Sequence, residues 1–135
     1  MNFKDFYLKE NSDNDLSVGI VLFNGDKVLI LKRGDSAPWM PSKWSLPGGM
    51  VEDGEDLIVA VERELYEETK IKADNVKFMK TYNNWHVFTG NTDYKQTDLE
   101  MENKQHDWIL FDNINDYDYV PDALQSIRDA FKLKP

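Results

Sequence analysis

Apolar and polar positions along the chain change period several times, and each change marks an element. Val18, Ile20 and Leu22 alternate with their neighbours in a strand over 16–23. A second strand over 27–33 is nearly continuous in apolar residues, as suits a strand buried on both faces. Asn24-Gly25-Asp26 between them carries the positive-φ residues of a hairpin turn. Residues 34–43 form a loop with Pro38 and Pro41, and Trp44 to Leu46 is a short strand that delivers Pro47-Gly48-Gly49. Helical period then takes over from about Asp56 to Thr69, where Ile58, Val61 and Leu65 share one face. Strands follow over 76–84, with Val76, Phe78 and Tyr82 on alternate positions, and over 85–89, with a polar loop at 90–97. Short strands at 99–102 and 108–111 come next, then an acidic, tyrosine-rich stretch over 112–120. Pro121 or Asp122 opens a last helix with Leu124, Ile127, Ala130 and Phe131 in one stripe. Residues 1–15 alternate poorly and read as an edge strand or an arm over the sheet. The sum is an α/β protein, a mixed sheet layered between the two helices as an α/β/α sandwich.

The totals narrow the possibilities. The 135 residues fit one domain, 1–135, with one core. There is no cysteine, which removes disulfides, thiolate metal sites and a cysteine nucleophile. No apolar run reaches membrane length, and the N-terminal residues lack the apolar core of a secretion signal, so a cytoplasmic protein without membrane partners is expected. The net charge of −9 argues against duplex nucleic acid, whose backbone wants a basic face. A small phosphorylated substrate is compatible with that charge if metal ions carry the attraction.

The stretch from Gly48 to Ile71 organises the rest. A loop with glycines at 48, 49 and 54 lets main chain approach a ligand closely and adopt positive φ. It runs into a helix on which Glu64, Glu67 and Glu68 share a face. No lysine or arginine lies four residues after Glu64 or Glu67 to offset their repulsion. A hard divalent cation would, because Mg²⁺ takes oxygen ligands shared between carboxylates and substrate phosphates. A solvated helix face explains glutamates taken alone. It does not explain the whole spacing: Gly49, Glu55 six residues on, Arg63-Glu64, an aliphatic at 65, and Glu67-Glu68.

That spacing resembles the signature of the Nudix hydrolases, with Trp44-Ser45-Leu46-Pro47-Gly48 as a similar lead-in. Lys70 stands where the family has glycine. A glycine just past a helix end usually takes the left-handed cap conformation. Lysine there costs about 1–2 kcal/mol if the backbone is kept; if the helix ends differently, a cation gains from its dipole. Either way position 70 punctuates the helix and is not a ligand.

The resemblance implies a Nudix-like sandwich and Mg²⁺-dependent hydrolysis of a nucleoside diphosphate linked to another moiety, with Mn²⁺ able to substitute. It implies metal ligands at Glu64, Glu67 and Glu68 and at the Gly48 carbonyl. Glu64 is either a ligand or the general base, with Arg63 orienting it or Glu55. Some relatives take the base from downstream, and Glu102, six residues before Trp108, is that candidate here; Asp93, Asp98 and Glu100 compete with it. Gly49, Arg33 and Trp39 are the substrate-binding candidates. Arg33 either reaches a phosphate or simply closes a strand. Trp39 either stacks on a base or covers the core. His86 and His106 make no metal-ligand spacing.

Secondary marks of Nudix subgroups are missing: no proline lies between Pro47 and Pro121, where an ADP-ribose mark would fall, and no tyrosine mark for dinucleoside polyphosphates is clear. The expectation is therefore a nucleoside triphosphate cut to monophosphate and pyrophosphate. Alternatives are ADP-ribose, a dinucleoside polyphosphate or an RNA 5′ end, and, in another class, a nucleotide-binding sensor without turnover. Tyrosines in the C-terminal third leave a homodimer surface open, or a substrate rim.

Overall fold

The computed structural model describes residues 16–93 and 105–134. Its strands are β1 (Ser17–Asn24), β2 (Lys27–Lys32), β3 (Trp44–Ser45), β4 (Gly48–Met50), β5 (Asp74–Tyr82), β6 (Trp85–Asn91) and β7 (His106–Leu110). Two α-helices are described, α1 (Leu57–Thr69) and α2 (Ala123–Leu133), with a 3-10 helix at Phe111–Asp116. The sheet runs β3-β2-β1-β6-β5, with β4 added against β1 and β7 against β2. β1 and β6 are parallel; every other strand pair is antiparallel.

Period-two alternation builds the two layers. Val18, Ile20, Leu22, Leu29, Leu31 and Phe88 point to one face and pack with Ala60, Val61 and Leu65 of α1. Val21, Phe23, Val28, Ile30 and Val87 point to the other and pack with Ile127 and Ala130 of α2. The sandwich and its mixed sheet are those the sequence predicts. No described helix is long and apolar enough to cross a membrane.

Local departures have physical reasons. Ile58 is exposed: the buried ridge of α1 follows Leu57, Val61, Leu65 and Thr69 in steps of four, and Ile58 falls off its edge. The hairpin turn uses Gly25 at φ 61, with Asn24 paired in the ladder opposite Lys27. β5 starts at Asp74, and two register shifts along it break the expected alternation, leaving Phe78 exposed while Tyr82 is buried. Gly90 and Asn91 belong to β6, not to a loop. The expected strand at 99–102 and the N-terminal arm lie outside the described residues.

Gly48 and Gly49 are strand residues, not loop residues, and neither has positive φ. They are glycine because of crowding. A Cβ on Gly48 would fall inside the Val18 carbonyl oxygen of the neighbouring strand. Only Gly54 in this stretch needs the left-handed region, at φ 76. Lys70 does keep the glycine-like backbone, at φ 64 and ψ 16, and its N–H donates to the Tyr66 carbonyl at 2.8 Å. Its ammonium lies 5.4 Å from the Tyr66 ring centroid. Thr69 completes the helix end: its hydroxyl donates to the Leu65 carbonyl at 2.7 Å and accepts the Ile71 N–H at 3.1 Å.

Candidate active site

Arg63 holds the acidic face of α1 together. Its Nε and Nη2 donate to the two oxygens of Glu55 at 2.8 and 2.9 Å. Its Nη1 reaches Glu64 at 3.0 Å and both Glu67 oxygens at 3.3 Å. Nη2 also donates to the Met50 carbonyl at 3.0 Å. No cation lies four residues after Glu64 or Glu67. The offsetting cation lies four residues before Glu67 instead, and one before Glu64. The bidentate grip holds the Glu55 carboxyl below its usual range, helped by the Glu52 N–H at 3.0 Å. Glu52 itself is exposed and stands 3.9 Å from Arg63.

Glu64 behaves in the opposite way. Burial, then repulsion from Glu68, pushes its carboxyl up, and the Arg63 contact only partly opposes this. Its carboxyl group lies against Gly49, where a Cβ would come within 2.5–2.7 Å of it. Glu68 turns to the same strand and accepts the Gly48 N–H at 2.8 Å. Arg33, just past β2, is held below the usual guanidinium range by burial while Glu68 pulls it back up.

The donor set suits a hard cation in kind. Glu64 and Glu68 are oxygen donors that repel each other beside the half-buried backbone of β4. As they stand, no three metal-ligating side chains converge among the described residues, because Glu67 is turned to Arg63. Glu102, Asp98 and Glu100 lie outside the described residues, and Asp93 is exposed just beyond β6. The Nε2 atoms of His86 and His106 are buried without a partner, and His86 Nδ1 pairs with the Thr81 hydroxyl at 2.8 Å.

A cavity of about 270 Å³ opens beside the Gly48–Gly49 strand, and its lining includes Leu46, Tyr82 and Trp85 of the α2 layer. Trp39, Tyr82 and Trp85 give it aromatic walls, and Asn83 and Asp122 give it a polar rim. Both rim residues are left-handed, at φ 56 and 70, and Asn83 Nδ2 donates to Asp122 across 3.5 Å. Asp122 precedes α2 without capping it through its side chain. Arg33 positions the third wall. Its Nε donates to the Trp39 carbonyl at 2.8 Å and its guanidinium sits 5.4 Å over the Trp39 ring. The structure thus brings Arg33, Trp39, Gly48, Gly49, Glu64 and Glu68 to one end of the sheet. Sequence reasoning missed Trp85, Asn83 and Asp122. The one available signal was Gly19, an unexplained glycine inside an apolar strand.

An α/β/α sandwich with a Gly-Gly strand and an arginine-braced acidic helix is the architecture of a Nudix-type hydrolase. This chain belongs to the NUDIX domain family, whose model matches residues 13–128. It is 43% identical over 70 residues to an RNA pyrophosphohydrolase of Aeromonas hydrophila, covering 51% of this chain and 37% of that protein. It is 47% identical over 64 residues to an RNA pyrophosphohydrolase of Pelagibacter ubique, covering 47% of this chain and 37% of that protein. The chain therefore spans well under half the length of these relatives. Among solved structures it resembles the MutT protein of Methanosarcina mazei, with a TM-score of 0.66 and 24% identity over 90% of this chain and 96% of the other. It also resembles the NUDIX domain of Shewanella oneidensis NrtR, solved with ADP ribose, with a TM-score of 0.73 and 21% identity over 98% and 99% of the two chains. Identities this low speak for the fold alone.

Proposed function

We propose that this protein is a Mg²⁺-dependent pyrophosphohydrolase of small nucleotides, and that a nucleoside triphosphate, cut to monophosphate and pyrophosphate, is its substrate. The observation that carries this reading is the Gly48–Gly49 strand, which has Glu64 and Glu68 against it and an aromatic-walled pocket of about 270 Å³ alongside. The pocket falls just below the ~300–1,000 Å³ of sites for drug-sized ligands, which favours one nucleoside over a dinucleotide.

In this reading Glu64, Glu68 and the Gly48 carbonyl would hold the ion, with Glu67 joining them on leaving Arg63. When bound, it supplies charge neutralisation for the phosphate oxygens and acidifies a water. The chain's own residues do the positioning. Arg63 fixes Glu55 and Glu64, Gly49 lets the Glu64 carboxyl group lie against the strand beside the substrate, and Arg33 meets the negative charge of the phosphates. Glu64 takes the water's proton where it is not itself a ligand; Glu102 is the alternative base.

A second reading, hydrolysis at an RNA 5′ end, is favoured by the names of the two relatives. The net charge of −9 counts against a long RNA partner. The test is turnover with Mg²⁺ or Mn²⁺ on nucleoside triphosphates, nucleotide sugars, ADP-ribose, dinucleoside polyphosphates and a 5′-triphosphorylated RNA, with products resolved by chromatography. Pyrophosphate and monophosphate from a free triphosphate support the first reading, and turnover of RNA alone supports the second. Nucleotide binding without any turnover would leave a sensor, and both readings would fall.

A further inference from the structure

Gly19 sits inside β1 between Val18 and Ile20, both fully buried. Glycine weakens a strand interior unless another group needs its space. Here the group is Trp85 of the parallel neighbour β6. Trp85 pairs with Ser17, so its side chain shares the sheet face of Ser17 and Gly19. A Cβ on Gly19 would lie 2.7–2.8 Å from Cζ2, Cε2 and Nε1 of the indole. The missing side chain at 19 is what lets the ring lie this close to the strand. Any side chain at 19 would displace the ring, which lines the cavity together with Trp39.

We propose that Trp85, seated on Gly19, is the floor on which the planar ring of the substrate stacks, and that this pair sets the depth of the pocket and so the ring it admits. The inference rests on the nucleotide reading above and adds the part of the nucleotide that this face recognises. The ligand class is a heteroaromatic base, held by an aromatic face that tolerates any base and excludes by depth. The floor lies against the α2 layer, whereas Glu64 lies over Gly49 in the α1 layer. Ring binding and phosphate binding should therefore respond to different substitutions. Trp85 is a specificity-determining residue and Gly19 acts through it.

The experiment measures equilibrium binding by calorimetry, with Mg²⁺, of two probes. One is a nucleoside triphosphate with a non-hydrolysable α,β-methylene link; the other is inorganic tripolyphosphate, which has no ring. The variants are Trp85→Phe, Trp85→Leu and Gly19→Ala, with melting curves to confirm folding. The expected result is nucleotide affinity at least fivefold weaker for Trp85→Leu and Gly19→Ala, within about twofold of wild type for Trp85→Phe, and tripolyphosphate affinity unchanged throughout. If Trp85→Leu does not fold, Gly19→Ala and Trp85→Phe carry the same comparison. The proposal is overturned if Gly19→Ala binds nucleotide like wild type, if Trp85→Phe loses as much as Trp85→Leu, if tripolyphosphate weakens in parallel, or if wild type binds no nucleotide. Wild-type turnover on the substrate panel judges the hydrolase reading separately: binding that follows the expected pattern without hydrolysis sustains the floor and removes the enzyme.

Discussion

The carboxyl group of Glu64 lies so close over Gly49 that a methyl group at position 49 would sit 2.5 Å from its carboxyl carbon. The atoms that must give way are the tip of a flexible side chain, so Gly49→Ala should fold. The expected outcome is a melting temperature within about 3 °C of wild type and a rate at least tenfold lower, since a misplaced catalytic group of ~1 Å costs up to ~100-fold. Initial rates with saturating Mg²⁺, alongside melting curves, check this. A wild-type rate would mean that Glu64 works from a position that does not touch Gly49.

Glu55 and Glu64 accept from the same guanidinium but are displaced in opposite directions. A carboxyl lowered in the folded state stabilises the protein above its unfolded pKa, ~4.3, and loses that contribution as pH falls through the lowered value. A raised carboxyl has the reverse sign: its contribution is present in acid and is lost as pH rises through the folded value. Glu55→Gln should therefore destabilise at pH 7, and the difference from wild type should shrink below about pH 4. Glu64→Gln should stabilise at pH 7 and converge with wild type in acid. Urea midpoints from pH 3 to 7 give both signs, and two variants moving the same way at pH 7 would refute the opposition.

Lys70 occupies a left-handed helix cap without being glycine. Lys70→Gly relieves about 1–2 kcal/mol of backbone cost and gives up about 0.5–1 kcal/mol of contact with the Tyr66 ring. The net should be near 1 kcal/mol, or about 3–5 °C in melting temperature for a domain of this size. The rate should not change, because residue 70 lies beyond the last glutamate of the cluster. A large rate effect with no thermal shift would make position 70 part of the site.

Arg33 ties the 34–43 loop to the sheet through the Trp39 carbonyl at 2.8 Å, and its own N–H donates to the Lys43 carbonyl at 2.8 Å. Arg33→Gln should raise KM for a nucleotide at least fivefold with kcat within about threefold, because it loosens one pocket wall and removes a cation near the phosphates. Arg33→Lys should restore charge but not the Trp39 contact, and fall between the two. Equal kinetics for all three forms would leave Arg33 a strand-end charge.

The layering and the acidic helix were legible because they rest on short-range rules. Alternation in β1 and β2 reports which face each residue takes, and the i, i+3, i+4 spacing puts Glu64, Glu67 and Glu68 on one side of α1. The left-handed cap at Lys70 was legible as one of two alternatives, because the expected glycine marks a backbone conformation rather than a side-chain need. What stayed hidden depends on pairing between distant strands. Gly48 and Gly49 read as loop residues open to a ligand, yet they are strand residues crowded by Val18 and by Glu64. Ile58 fell off the buried ridge because a helix of 3.6 residues per turn drifts against the sheet. The pocket joins residues from the 34–43 loop, the β5–β6 turn and the start of α2, and only the parallel register of β1 with β6 brings Trp85 onto Gly19.

The Gly48–Gly49 strand is thin: it offers backbone to the acidic helix on one side and to an aromatic pocket on the other. A sequence can therefore drift on the pocket side, trading one leaving-group or base preference for another, while the bond-breaking apparatus stays under its own constraint. For protein engineers it means that libraries at positions 39, 83, 85 and 122 should retune what is bound without the collapse in turnover that follows changes on the helix.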